Sequence, residues 1–291
     1  GGDVSLGKLA TTYLYSGLTN GQAYRFRLRV KDSSGNISVG VQTADITPSS
    51  NAYTAVSGAI SSDTVWATGV YLVTGNVTVN AGATLTIKPG VIVKFNANLQ
   101  LIVNGDLIAE GTAGSNIVFT SYRDDSVGGD TDGGGASVGV PGDWYYLFFN
   151  STSNAAVSHL AYVDVRYGGR STANIYLNSA HIPVTNSTIR FSMTDGLYAT
   201  SSNAVISDNV IEDNATTGIL SQHSSLIIEN NTIQRNLHGI YNQYTGSAAV
   251  RGNTLSNNSG YGLYDEFAGA QVPTNNTITG NNHPIRGAFS S

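Results

Sequence analysis

Three apolar positions return along the C-terminal part of the chain at a spacing close to 22 residues. The first column reads Ile189, Ile211, Ile233 and Leu255, in steps of 22. The second reads Leu197, Ile219, Ile240 and Leu263, in steps of 22, 21 and 23. The third reads Ile206, Ile228, Val250 and Val272, again in steps of 22. A last stretch, TNNTITGNNHPIRGAFSS at 274–291, repeats the start of the pattern displaced by one residue. Each mark lies in a segment of two to four Ile, Val, Leu or Tyr residues bounded by Gly, Asn, Ser or Asp. That is strand and turn chemistry, not helix. Three short strands close a triangular coil, and coils stack at about 4.8 Å, the spacing of neighbouring strands. The pattern therefore predicts an all-β solenoid with one continuous core. Inward letters are fixed by that core, while outward letters drift.

Asparagine forms two further columns. Asn209, Asn231, Asn253 and Asn276 stand two residues before the first apolar mark, with Ser187 in the earliest coil. Asn214, Asn236, Asn258 and Asn281 stand three residues after it, with Ser192 in the earliest coil. An amide carries both donor and acceptor, so stacked Asn side chains bond along the solenoid axis and satisfy turn backbone. Both columns are expected to be structural ladders.

With these residues in view the chain resembles the right-handed parallel β-helix superfamily, pectate-lyase-like, with repeats of the carbohydrate-binding and sugar-hydrolase type. The stretch GNVTVNAGATLTIKPGVIVKFNANLQLIVNGDLIAEGT at 75–112 is similar to the opening coils of secreted bacterial β-helix proteins. The resemblance covers roughly residues 55–291. It implies the fold but not one activity, because that superfamily holds lyases, hydrolases, epimerases, adhesins and structural proteins.

The N-terminal segment has a different character. Residues 11–47, TTYLYSGLTNGQAYRFRLRVKDSSGNISVGVQTADIT, contain the alternation YRFRLRV of a half-buried antiparallel strand. The segment resembles the last three strands of a fibronectin type III domain, with Tyr24 as its corner tyrosine. Such a domain needs about seven strands, and only three or four fit. The expected organisation is a partial fibronectin type III-like β-sandwich over 1–48, then a β-helix over 49–291 with regular coils from 186. Trp66 is expected to lie as a lid over the first core layer.

Composition narrows the function. Charged residues make up 11% of 291, against about 25% in ordinary globular proteins. The net charge of −5 supplies no basic patch for nucleic acid or anionic membrane. There is no cysteine, hence no disulfide framework. No apolar run approaches the roughly 20 residues of a membrane-spanning helix. A Ser-, Thr-, Asn-, Gly- and Tyr-covered surface is common outside the cell, so an extracellular or cell-surface location is expected.

Residues 122–144, YRDDSVGGDTDGGGASVGVPGDW, break the repeat. Asp130-Thr131-Asp132-Gly133-Gly134-Gly135 is similar to the start of a calcium loop, although Gly134 holds the third ligand position and the distal Glu is missing. Asp124, Asp125 and Asp143 complete a candidate oxygen shell, so calcium is the expected cofactor, against a plain solvated loop.

No catalytic set emerges. Arg190 with Glu212, Asp213 with Arg235, and Glu229 with Arg251 fall at repeat spacing and read as ion pairs between coils. His238 and His283 share a turn column with Asp195, Thr217 and Tyr261. His159 and His181 have no acid at repeat spacing, and Arg166 and Arg170 offer charges for a sugar acid but, without acids beside them, make no lyase.

The column Tyr176, Tyr198, Leu220, Tyr241, Tyr264 follows the second inward mark and points outward. It reads as a self-packing ladder or as a platform for a glycan or partner. The expected function is a structural or adhesive surface module that is not an enzyme, with a polysaccharide or cell-surface glycan as partner. The alternative is a polysaccharide lyase or glycoside hydrolase. The sequence stops in mid-coil, so either flanking sequence continues the fold or a second copy covers that end. Head-to-tail contacts of the latter kind would build a filament.

Overall fold

The structure is a computed structural model that describes residues 4, 6, 18–19, 22–46, 53–266 and 270–290. From Tyr53 onward the backbone winds as a solenoid with three parallel faces. The first face is ten strands deep, from the long opening strand Tyr53–Ile60 through Val70–Val79, Ile92–Phe95 and Ile117–Ser121 to Thr277–Thr279. The two long opening strands turn the corner into the second face. The third face is an eight-stranded sheet from Thr64–Trp66 to Ala249–Arg251.

The apolar columns lie in register down these faces. On the first, Val93 pairs with Phe119, Phe119 with Val165, Val165 with Ile189, and so through Ile211 and Ile233 to Leu255. On the second, Leu147, Ile175, Leu197, Ile219, Ile240 and Leu263 follow one another. On the third, Trp66, Ile87, Ala109, Leu160, Val184, Ile206, Ile228 and Val250 do the same. All of these are buried, and each large aliphatic contributes about 1.5–3 kcal/mol by leaving water. Trp66 opens the third column and stacks on Tyr71 at 4.7 Å.

The last repeat departs from the expected spacing. Arg251 bridges to Thr274, which sets position 273 opposite Val250. Val272 is 50% exposed. The extra residue of this 23-residue coil enters before the third face, so the displacement seen in the sequence at 274 has already occurred at Val272.

The two turns that flank the first face pass through the left-handed region in every regular coil. Asn186, Asp208, Asn230 and Asn275 have φ of 51–59° at one of them. Phe191, Asp213, Arg235 and Asn257 have φ of 53–56° at the other. Asn and Asp tolerate this region, whereas Phe and Arg pay about 1–2 kcal/mol for it. The residue that follows is in each case a member of an Asn or Ser ladder column, whose hydrogen bonds hold the turn.

The insertion leaves the first face after Ser121 and returns at Leu147–Phe149 on the second. Trp144 fills the enlarged coil: it is fully buried, stacks on Phe95 at 4.2 Å, and its Nε1 donates to the Arg166 carbonyl at 2.9 Å.

Toward the N-terminus the described residues form a two-stranded antiparallel hairpin, Arg27–Leu28 with Val41–Gln42, extended by the Tyr24–Ile46 and Lys31–Ile37 bridges. The Tyr24 hydroxyl accepts the Thr19 N–H at 2.8 Å. Among the described residues there is no second sheet to make a sandwich, so the fibronectin-like reading reduces here to a hairpin. Residues 11–17, 20–21 and 47, which belong to the same segment, lie outside the described residues.

Candidate functional site

The two Asn columns are rungs at the corners of the first face, buried except in the last coil, where Asn276 and Asn281 are half-buried. Asn209 Nδ2 reaches Asn231 Oδ1 at 3.0 Å, Asn231 reaches Asn253 at 2.9 Å, and Asn253 reaches Asn276 at 3.0 Å. In the other column Asn214, Asn236, Asn258 and Asn281 are joined at 3.0, 3.2 and 2.8 Å. Each amide also reaches back to a carbonyl of the preceding coil, as Asn231 does to Ile206 at 2.8 Å. The amides are fully committed to one another and to backbone, which leaves them no ligand role.

The five carboxylates of the insertion do not gather around one point. Asp130 accepts the N–H groups of Asp132, Gly133 and Gly135 at 3.1, 2.7 and 3.0 Å. Asp132 accepts Gly134 N–H at 2.9 Å, and Asp125 accepts Ser137 N–H at 2.6 Å. Asp143 takes Ser121 Oγ at 2.6 Å and Val140 N–H at 2.8 Å. Asp124 turns inward to Arg166. Among the described residues no group of three or more His, Asp or Glu side chains is arranged to hold a metal ion. A glycine-rich loop is short of side-chain acceptors, and these carboxylates serve its own backbone donors.

Arg166 is not without acids. Its guanidinium donates to Asp124 Oδ2 at 2.7–2.8 Å and to Asp164 Oδ2 at 3.0 Å, with Arg166 itself 6% exposed. Asp164 also binds Arg190 at 2.8 Å. Burial opposes ionisation of Asp124, but hydrogen bonds from Ser126 and Thr120 and the Arg166 charge outweigh it, so its carboxyl sits below the ordinary range. Lys94 lies in the same outward column, fully buried beneath the insertion, and its Nζ donates to the Gly129 carbonyl. Burial pulls its ammonium below the ordinary lysine value, against the attraction of Asp125 and Asp124. The expected Arg190–Glu212 pair is replaced: Arg190 turns to Asp164, and Glu212 is bound by Arg235 at 2.7 Å together with Asp213 at 2.8 Å. Arg251–Glu229 stands as a pair at 2.7 Å. The charged row of the first face is thus a clasp on the insertion and a run of pairs between coils. Its arginines and carboxylates are committed to one another, and its lysine is covered.

The outer side of the second face is different. Phe148, Tyr176, Tyr198, Leu220, Tyr241, Tyr264 and Arg286 pair in sequence down it. Tyr176 and Tyr198 stack at 4.8 Å and 21°, Tyr241 and Tyr264 at 4.5 Å and 9°. Leu220 separates the two stacks, and the Arg286 guanidinium closes the second at 4.9 Å. Ring faces are therefore spent on one another, while the half-buried edges and hydroxyls line the surface. Burial raises the phenols of Tyr176 and Tyr198. Burial and a hydrogen bond to Glu266 push Tyr241 up to about 12. Beside the rings runs a polar column, Asn178, Thr200, Gln222 and Gln243. Gln222 receives the Tyr198 hydroxyl and donates to Gln243 at 2.5 Å.

On the other flank lie Asp195, Thr217, His238, Tyr261 and His283. His238 Nδ1 accepts Tyr261 N–H at 3.0 Å, and its ring stacks on Tyr261 at 5.6 Å. Asp195 accepts Thr217 N–H at 2.8 Å and the Thr216 hydroxyl. Burial raises Asp195 above the ordinary carboxylate value and lowers His238 below the ordinary imidazole value.

The chain matches the description of a right handed beta helix region over residues 147–289. It matches that of a pectate-lyase like beta helix domain over residues 58–182. No curated protein matches it. Among solved structures it is similar to the A-module of the Azotobacter vinelandii mannuronan C-5 epimerase AlgE4, at 15% identity. That match covers 79% of this chain and 90% of that one with a TM-score of 0.30, and likeness at this level says nothing about activity. The two matched regions run without a gap from 58 to 289, and this stretch is a right-handed β-helix solenoid with pectate-lyase-like opening coils.

Proposed function

We propose that the protein is a non-catalytic, extracellular β-helix module that binds an uncharged polysaccharide along the outer side of its second face. The observation that carries this reading is the repeated pairing of a phenol or aliphatic edge with an amide or hydroxyl, coil after coil, from Tyr176 and Asn178 to Tyr241 and Gln243. Donor–acceptor groups beside apolar edges suit sugar hydroxyls and ring hydrogens. A site repeated along one axis suits a polymer. Charges stand at the margins of this face, in contrast to the first. Because the ring faces are stacked on each other, sugars meet edges and hydroxyls instead of lying flat on the rings.

The test is affinity electrophoresis against soluble neutral polysaccharides. Tyr198→Ala with Gln222→Ala restores the free mobility of a wild-type protein retarded by the polymer. A wild-type protein that no neutral polymer retards, or one retarded by acidic polymers alone, refutes the proposal.

A second reading, a polysaccharide lyase or hydrolase, is favoured by one observation. Asp195 is a buried carboxyl with a raised pKa beside the aromatic row, as a general acid requires. Release of reducing ends or unsaturated products from a bound polysaccharide, lost in Asp195→Asn, would establish it.

A further inference from the structure

A groove of about 590 Å³ opens at the corner between the first and second faces, on coils that precede the tyrosine row. Its volume lies in the range of small-molecule sites, roughly 300–1,000 Å³. The floor is apolar, from Leu72 and Leu99, and aromatic walls come from Tyr53 and Tyr122. Asn96 and Asp132 stand on its rim.

The far wall is the insertion, and its construction shows why the loop is worth building. Asp130 ties three of its N–H groups, Asp125 and Asp132 tie others, and Thr131 Oγ1 donates to the Tyr122 carbonyl at 2.6 Å. Lys94 pins Gly129 from below. The acids that look like cation ligands in the sequence tie the backbone of this wall. Such preorganisation lowers the ordering cost of binding.

The unpartnered polar groups that face the groove are neutral. Among the described residues, neither the Tyr53 hydroxyl nor the Asn96 amide has a hydrogen-bond partner. Each is both donor and acceptor. Asp132 is the one charge in the lining, and both its oxygens already accept bonds, from Gly134 N–H and Ser137 Oγ. No basic side chain is in the lining; Arg123, beside the groove, lies over the Tyr122 ring at 5.2 Å and is already engaged by the Tyr122 hydroxyl at 2.9 Å and by Asp143 at 3.6 Å. An apolar floor, aromatic walls and free neutral donor–acceptor groups fit a hydroxyl-rich uncharged ligand. We propose that this groove is a separate carbohydrate site that takes an uncharged glycosyl residue between Tyr53 and Tyr122. It stands on its own observations and does not require the second face to bind anything.

The experiment is an array of uncharged oligosaccharides probed with the full chain, followed by calorimetry on those bound. Asn96→Ala and Tyr122→Ala are each expected to weaken the groove's ligands at least tenfold. Tyr53→Phe removes only an exposed hydroxyl, cannot unfold the coil, and is expected to weaken the same ligands. Tyr198→Ala with Tyr241→Ala leaves them unchanged, which separates this site from the second face. Competition by free monosaccharide identifies a chain end as the ligand; binding that only oligomers compete identifies an internal unit. Retention of every wild-type affinity by Asn96→Ala and Tyr53→Phe overturns the proposal. So does a wild-type protein that binds no uncharged glycan on the array.

Discussion

Asn253 Oδ1 accepts two hydrogen bonds from Asn231, one from its backbone N–H and one from its Nδ2, both at 2.9 Å. One side-chain oxygen therefore satisfies a turn donor and a ladder donor of the coil before it. Asn253→Leu leaves both unpaired in a buried corner, at a cost of about 1–3 kcal/mol for each. Asn253→Asp, when protonated, keeps the acceptor and one donor, so it loses one of the two Nδ2 bonds, to the Ile228 carbonyl at 2.8 Å or to Asn276 Oδ1 at 3.0 Å. Urea melts should order the three proteins wild type, then Asp, then Leu at a pH where Asp is protonated.

Arg166 holds Asp124 and Asp164 together beneath the insertion. Arg166→Met removes the counter-charge from a buried carboxylate, an effect of about 3–5 kcal/mol. Asp124→Asn in the same chain should recover much of that loss, because the stranded charge is then gone. A double-mutant cycle by chemical denaturation measures the coupling. Additive losses would mean that the two groups do not depend on each other.

Asp195 and His238 give the stability opposite slopes with pH. The folded state lowers His238, so its contribution is fully present above the ordinary imidazole value of about 6.5 and is lost as pH falls through it. The folded state raises Asp195, so this carboxyl costs stability once pH rises past its ordinary value near 3.9, and protonation at lower pH relieves the cost. Asp195→Asn keeps an acceptor for Thr217 N–H and should raise the melting temperature at neutral pH. His238→Gln should flatten the decline between pH 7 and 5, measured as melting temperature against pH.

Asp130 is a cap for three N–H groups of its own loop. Asp130→Ala should lower resistance of the 122–144 segment to limited proteolysis, with or without a chelator. Asp130→Asn should lie between. If added calcium protects the wild-type loop and the alanine variant loses that protection, the carboxylates rearrange around an ion and the capping role is secondary.

Much of the solenoid was legible because inward side chains have one requirement, apolar volume, which recurs at every coil. The amide ladders were legible for a related reason: a donor–acceptor column works only if the same residue type returns. The ion pairs of the first face were less so. Val165 pairs with Phe119 across the whole insertion and with Ile189 over a step of 24 residues, so no constant period places Asp124 beside Arg166 or Asp164 beside Arg190. The role of the insertion acids was less legible, because carboxylate spacing in a glycine-rich run has two uses, an ion or the loop's own N–H groups, and spacing does not choose between them. Tyr53 opens a mixed outward column with Val70 and Ile92, and Asn96 and Tyr122 follow the paired Phe95 and Ser121 at the corner, so no repeated residue type marks them. Only the folded corner brings them to one groove, and the single sequence signal was the length of the break.

The amide rungs also bear on mechanical load. They run along the axis, one set per coil at each of two corners, so a pull on the last coil stretches its own rungs before those of the next. Force is met one coil at a time. Under a steady pull the regular repeats should yield in a sawtooth of steps, each releasing about one 22-residue turn of contour. The clasped coils around Trp144, cross-linked through Arg166 and the insertion, should be the point at which the unravelling stalls.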